Sequence, residues 1–492
     1  MITITKPKLT VPGPRVAPVY GRIVQSLNFV SDSVSVSSQL FKTYGSVVSL
    51  AQGGGTNIYS PYANCPGTVV AYGPDIVREV TSQHDVYHKC PLIGSFYRRR
   101  DDSERTEPFS RFLVGLFGVN NDSHRQHRQL LMPAFHKSRI ESYRNDMVKI
   151  AESSLSQLKV GEVVNIVEVM RRLTMSIATK TLFGKDVNED SGNLIRLLQQ
   201  FGTQLTNPAS VVLPIDFPGL PYHNLLNAML ALDDEMRSII RERYASSVDG
   251  GDIISMLVRA KDADSGLTLT EDELLGHVTA IFAAGHDSST NVIAWILFLL
   301  SQYPSIAADL LDELDNVLLG SAPTVEQLQK LPLLDRVVKE SMRVLTAIPW
   351  NGRVTSQPTT LGGYELPVGT EVFVSIYQTH HMPEIYPEPE RFNPQRWETI
   401  QPTMYEYNPF SAGSRICIGA GFAIMEIKIV LAMLLMRYRL QLITEKPINA
   451  KGLIVMAPEN GLLMKVHKQD REFNQGVGGV HGNVREMVNL PN

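Results

Sequence analysis

The sequence predicts one large, mainly α-helical domain with small β-sheets, and three observations carry that prediction. Apolar residues recur three and four positions apart over long stretches, β-branched runs are short and widely separated, and no repeat or low-complexity linker divides the 492 residues. Division by about 150 residues per domain would suggest roughly three domains. Strands that must pair across a helical mass argue for one.

The early strand candidates are Ser46–Leu50 and Thr68–Tyr72, bounded by Gly and Pro. Helical spacing then runs through Ile140–Leu158, Leu225–Arg243, Glu271–Tyr303, Ile306–Leu319 and Gln327–Leu345. Thr270, with Glu273 three positions on, forms a capping-box pattern at the start of the third. Glu371–Ile376 reads as a late strand, and Ile93–Asn121 and Asn207–His223 read as loops of the kind that gate sites. Residues after Lys468 are polar and Gly-rich. The predicted division is an N-terminal segment at 1–44, the main domain at 45–466 and a C-terminal tail at 467–492.

Composition excludes several function classes. Hydrophobic residues make up 43% and charged residues 20%, an ordinary globular balance. A net charge of −4 offers no basic surplus for nucleic acid. Cys65, Cys90 and Cys417 are too few for a disulfide framework and too scattered for a zinc or iron–sulfur site. The longest apolar run, Val292–Leu300, is well short of the ~20 residues of a transmembrane helix. No signal-peptide core follows the early lysines. A cytoplasmic chain without a membrane anchor, acting as a monomer, is expected.

The sharpest signal is Phe410-Ser-Ala-Gly413-Ser-Arg415-Ile-Cys417-Ile-Gly419, which leads directly into a helical pattern. With this composition the five fixed residue types would meet at that spacing by chance in roughly 3 of 100,000 chains. A thiol at a helix start is biased toward thiolate by the helix dipole and free N–H groups. Gly413 and Gly419 let backbone lie against a flat ligand, Phe410 can shield the sulfur, and Arg415 can reach an anionic group. The segment resembles the haem-binding signature of the cytochrome P450 superfamily, whose haem iron is held by a Cys thiolate. The resemblance extends over about residues 45–466.

That resemblance implies haem b on Cys417 and assigns further positions. Glu340-Ser-Met-Arg343, 77 residues before Cys417, followed by Glu388-Pro-Glu-Arg391-Phe392, is similar to the family's buried Glu–Arg–Arg network. His124 and Arg128 in His124-Arg-Gln-His-Arg128, with Arg353 and Arg415, match groups that bind the haem carboxylates.

Ala283-Ala284-Gly285-His286-Asp287-Ser288-Ser289-Thr290 places glycine and hydroxyl residues in mid-helix, against helix propensity. A hydroxyl at Ser288 can bond the Ala284 carbonyl and open a groove for O₂ and water. Asp287 and Ser288 resemble the family's proton-delivering acid–alcohol pair, with Ser where Thr is usual; Ser289 or Thr290 could share the role. Serine lacks the methyl that fixes its rotamer.

The resemblance implies O₂-dependent insertion of one oxygen atom into a lipophilic small molecule. Electrons would come from a separate ferredoxin or flavodoxin with its NAD(P)H reductase. Arg125, Lys137, Arg139 and Lys428 are candidate docking cations. Substrate contacts are expected near Ile93–Asn121, Asn207–Leu220, Thr279–Ala284, Thr346–Asn351 and Ile454–Ala457, with Phe109, Phe112, Phe117, Phe282 and Trp350 as candidate aromatics. Arg98-Arg-Arg-Asp-Asp reads as a solvated loop. The alternatives are a peroxide-driven peroxygenase or hydroperoxide rearrangement enzyme, hinted at by Ser288, and a haem-binding sensor.

Overall fold

The computed structural model describes residues 9–492 except 63, 91–104, 186–191, 206, 208, 211–214, 247–249 and 262–265. Its helices of eight or more residues are α1 (Tyr20–Ser31), α2 (Ser33–Tyr44), α3 (Pro74–Ser82), α4 (Glu107–Val114), α5 (Asn121–Leu131), α6 (Arg144–Leu155) and α7 (Ile166–Phe183). They continue with α8 (Gly192–Leu205), α9 (Pro221–Ala245), α10 (Glu271–Gly285), α11 (Asp287–Gln302), α12 (Pro304–Leu318), α13 (Pro332–Val344) and α14 (Ala420–Leu435).

The strands are β1 (Val47–Ser49), β2 (Thr68–Ala71), β3 (Tyr87–His88), β4 (Val163–Asn165), β5 (Trp350–Thr355) and β6 (Thr359–Leu361). After them come β7 (Tyr364–Leu366), β8 (Glu371–Ser375), β9 (Tyr438–Leu442), β10 (Ala450–Lys451), β11 (Ala457–Pro458) and β12 (Leu463–Lys468). The largest sheet has the order β1-β2-β8-β5-β3 and is antiparallel except for the parallel β2–β8 pair. Residues about 300 apart thus pair across the helices, as the single-domain reading requires.

The apolar run Val292–Leu300 lies in α11, whose residues from Ser289 to Leu300 are all buried. A helix apolar all round belongs in a core, and this one meets α7, α13 and α14. Trp295 is fully buried and its indole N–H still reaches the Met456 carbonyl at 3.0 Å. Among the described residues no single helix is long and apolar enough to cross a membrane.

Several expectations change: the loop read at Ile93–Asn121 contains α4, and the helix read at Ile140–Leu158 starts only at Arg144 after a break at Tyr143. The helix predicted at Glu271–Tyr303 is two, meeting at His286 (φ −109°, ψ −46°). Side chains there bond to the helix's own carbonyls: Ser288 to Ala284, Thr290 to His286 and Asn291 to Asp287. The pattern at Gln327–Leu345 divides because Pro332 opens α13. Residues after Lys468 pack on the core, with Val484 and Val488 fully buried. There Gly478 donates to Gln302 and Asn489 to the Glu390 carbonyl.

Candidate functional site

Cys417 sits on a loop held at both ends. Its amide donates to the Phe410 carbonyl at 2.9 Å, and Gly419 caps α14. Gly413 adopts φ +69°, and a Cβ there would lie 2.3 Å from the Thr81 carbonyl at the end of α3. That position needs glycine on both counts. Asn351 of β5 donates to the Ser411 hydroxyl at 2.7 Å, tying the loop to the sheet. Phe410 is half-buried against the main core. Cys417 is exposed by surface area, yet crowding by protein atoms pushes its thiol upward. The Gly419 amide and Arg128 pull the other way. Dehydration outweighs both, so the free thiol is raised where the sequence argument favoured thiolate.

Beside the loop lies a group of cations. Arg353 is buried and its guanidinium donates to Asn351 and to the Gly352 carbonyl at 2.8 Å. Arg415 donates to the carbonyls of Leu116 (3.3 Å) and Val119 (2.6 Å) and to Asn120 Oδ1 (2.7 Å). Burial pushes Arg353 down to about 10, and burial followed by Arg353 pushes Arg415 down to about 9. Lys89, which the sequence did not single out, is pushed to about 7 by burial and then by Arg353 and Arg415. Arg128 is also lowered by burial. Among the described residues only thiols and the Tyr59 phenol oppose these shifts, and no Asp or Glu acts on any of the four cations. Burial and then Arg415 push His124 down to about 3, so it contributes a hydrogen bond and not a charge.

Buried cations without carboxylates are costly. A group bearing two carboxylates neutralises them, and Cys417 lies close enough to act on Arg128 electrostatically. Haem, with an iron for the thiol and two carboxylates for the cations, fits these residues.

The junction of α10 and α11 holds the candidate acid and hydroxyl. Ala283 and Ala284 are exposed, and the Ser288 hydroxyl donates to the Ala284 carbonyl at 2.9 Å. Thr290 is turned inward to the Thr174 hydroxyl (2.7 Å), and Ser289 is buried. Ser288 is therefore the hydroxyl placed beside the exposed Ala283 and Ala284. Asp287, its side chain 47% exposed, meets Arg171 Nε at 3.4 Å and His286 Nε2 at 3.8 Å. Arg171 is a second residue absent from the sequence reading.

The Glu340 network is present with one member replaced. Arg343 donates to both Glu340 oxygens (3.0 and 2.9 Å). Arg396 donates to Oε1 at 2.9 Å and Trp397 to Oε2 at 3.0 Å. Arg391 contributes only its carbonyl, which Arg343 and Arg396 share, while its side chain is 56% exposed and pairs with Glu388. The sequence holds the pattern Pro-x-Arg-aromatic twice, at Pro389–Phe392 and Pro394–Trp397. Only the second turns its guanidinium inward.

Several substrate-contact expectations fail on burial. Phe282 packs on Phe183 and His286, Phe109 lies near Phe201, and Trp350 donates to Ser33 at 2.8 Å; all three belong to the core. Phe117 is half-buried and Ile454 is exposed. The run Arg98–Asp102, residues 93–104 of the first loop, positions 208 and 211–214 of the second, and the Phe112 side chain lie outside the described residues. Lys428 is engaged with Asp335 at 2.7 Å, its side chain 11% exposed. That removes it from the docking cations.

A sequence model of the cytochrome P450 family matches residues 11–465. The chain is 30% identical over 381 residues to cyclooctat-9-en-7-ol 5-monooxygenase of Streptomyces melanosporofaciens, covering 76% of this chain and 80% of that one. It is 28% identical to pentalenene oxygenase of Streptomyces avermitilis, covering 74% and 80%. Its fold is similar to that of cyanobacterial CYP120A1 with bound retinoic acid, with a TM-score of 0.77 at 23% identity, covering 94% of this chain and all of that one. The chain belongs to the cytochrome P450 family and is an oxidoreductase of the monooxygenase type that carries haem on a cysteine thiolate.

Proposed function

We propose that this monooxygenase oxidises an apolar, unsaturated hydrocarbon or its mono-alcohol, with Cys417 as the haem ligand and Asp287 with Ser288 as the proton path. The observation that carries the site assignment is the cluster of buried Arg353 and half-buried Arg415, Lys89 and Arg128 beside the Cys417 loop, which no carboxylate among the described residues neutralises. The substrate class draws on the relatives named for cyclooctat-9-en-7-ol and pentalenene.

When bound, haem supplies O₂ activation and oxygen insertion. The chain supplies the rest. Arg353, Arg415, Arg128 and Lys89 hold the haem carboxylates, with His124 donating one neutral hydrogen bond. Phe410 limits water at the Cys417 sulfur. Ala283 and Ala284 leave room at the helix junction, where the Ser288 hydroxyl can rotate from the Ala284 carbonyl. Asp287, paired with Arg171 at the protein surface, takes protons from water and passes them toward Ser288. Electrons come from a ferredoxin with its NAD(P)H reductase, docking by way of Arg125, Lys137 and Arg139. The chain acts as a cytoplasmic monomer.

The test compares turnover of an apolar alkene with ferredoxin, reductase, NADPH and O₂ against turnover with hydrogen peroxide alone. Oxygenated product in the first regime, tracking NADPH use, is expected. Asp287→Asn should slow that regime by roughly 10²-fold or more, the scale of a lost acid–base group, and leave peroxide-driven turnover unaffected. Product only with peroxide would overturn the proton path and establish the peroxygenase alternative.

A further inference from the structure

Two buried histidines take no part in the chemistry above, and their hydrogen bonds run in one direction. The Leu116 amide donates to His277 Nδ1 at 3.1 Å. An amide N–H can only donate, so Nδ1 is the bare nitrogen of His277 and Nε2 carries its proton. Nε2 lies 3.1 Å from His127 Nδ1, which must therefore accept. His127 then carries its proton on Nε2, 3.3 Å from Glu273 Oε1. His277 is fully buried and His127 is 6% exposed, with the rings edge to face at 5.0 Å. Burial and then His127 push His277 down to about 3, which keeps it neutral.

Both ends of this chain are anchored. The second Glu273 oxygen accepts from the Thr270 amide and hydroxyl (2.8 and 2.9 Å), closing the capping box that starts α10. At the far end the Leu116 carbonyl accepts from Arg415. Next to it Gly115 lies against Gly276, where a Cβ on either would meet backbone at 2.4–2.6 Å. Close backbone approach brings segment 115–120 to α10. The histidines give that contact a polarity.

We propose that Glu273, His127 and His277 form a positioning relay that locks one imidazole tautomer, fixes segment 115–120 on α10 and thereby holds Arg415 in place. What Arg415 binds rests on the haem reading above; the lock itself does not. Glu273 orients His127, His127 forces the Nε2–H form of His277, and only that form can accept from Leu116. All three are positioning residues and none touches the reacting atoms.

The test follows amide hydrogen exchange in peptides spanning 115–120 of the haem-loaded full chain. His127→Phe keeps the ring volume and removes the acceptor, so exchange there should rise about tenfold or more. His127→Asn keeps an acceptor, because Oδ1 falls near the imidazole Nδ1, and should rise less than about threefold. A role in packing alone predicts the reverse order. His277→Asn presents its own acceptor to Leu116 whatever residue 127 does. Adding His127→Phe to it should therefore change exchange by less than about twofold. The proposal falls if Phe and Asn at 127 behave alike, or if the double variant exchanges as fast as His127→Phe. Haem transfer to an apoprotein acceptor should quicken for His127→Phe in step with exchange. Exchange that follows the predicted order without any change in haem transfer would keep the lock and refute the role of Arg415 toward haem.

Discussion

Two groups of charge, one buried throughout and one buried at Arg353 and half-buried around it, are built on opposite plans. Around Glu340, one carboxylate receives Arg343, Arg396, Trp397 and the Asn393 amide, all within 3.0 Å. Around Arg353, burial and neighbouring cations lower the proton affinity of Lys89 and Arg415 and burial lowers that of Arg128, with no carboxylate among the described residues acting on them. The first group is complete in the polypeptide. The second is complete only with an anionic partner. The sign of the neighbours distinguishes them.

The largest break in this comparison is Glu340→Gln. It leaves two buried guanidinium groups without their counter-charge, which costs about 3–5 kcal/mol. Denaturant unfolding should show that loss with haem present or removed, since the network needs nothing from outside.

Arg353→Met should act with the opposite sign in the haem-free protein. The variant removes a desolvated, mutually repelled cation at the expense of its bonds to Asn351 and to the Gly352 carbonyl. Haem-free stability should hold or rise by about 1 kcal/mol. Haem should meanwhile transfer to an acceptor at least about tenfold faster. A haem-free destabilisation as deep as that of Glu340→Gln would end the distinction between the two groups.

Lys89 gives the same contrast a pH dependence. Its proton affinity falls from the ordinary 10.5 to about 7 on folding. Between those values the unfolded chain binds more protons than the folded one, so haem-free stability rises with pH across that window. Below about pH 7 both states are protonated and the cost is full and constant. Bound carboxylates restore the folded proton affinity, and the slope flattens. Thermal midpoints from pH 7 to 9 should climb without haem and stay nearly level with it.

The two groups also differ in how far the sequence reveals them. Cys417, Gly413 and Arg415 are legible because one backbone loop demands them at fixed spacing. Glu340 and Arg343 are legible because i,i+3 on a helix fixes a shared face. Lys89 and Arg171 are not, since each reaches its partners from a distant segment and lone cations are common. The aromatic side chains mislead for a related reason: Phe282 and Trp350 fit a pocket and a core equally well on composition. Only neighbours decide, and theirs are Phe183, Ser33 and the sheet. Likewise, the mid-helix hydroxyl at Ser288 foretold its one local bond to the Ala284 carbonyl, whereas the break at His286 depends on several bonds acting together.

Arg391 sharpens the comparison with the smallest effect. Two Pro-x-Arg-aromatic turns lie five residues apart, and sequence pattern alone favours neither as the partner of Glu340. Arg396 is 7% exposed and bonds the carboxylate, whereas the Arg391 guanidinium lies at the surface beside Glu388. Arg391→Ala removes a solvated ion pair of i,i+3 type, worth about 0.2–0.5 kcal/mol, and keeps the carbonyl that Arg343 and Arg396 share. Arg396→Ala leaves one side of Glu340 without its charge and should approach the Glu340→Gln loss. Urea midpoints of the two alanine variants should therefore separate clearly, with Arg391→Ala close to the parent. Equal losses would mean that the surface pair braces the turn carrying the shared carbonyl. The buried network would then extend to the solvent-facing edge of the protein.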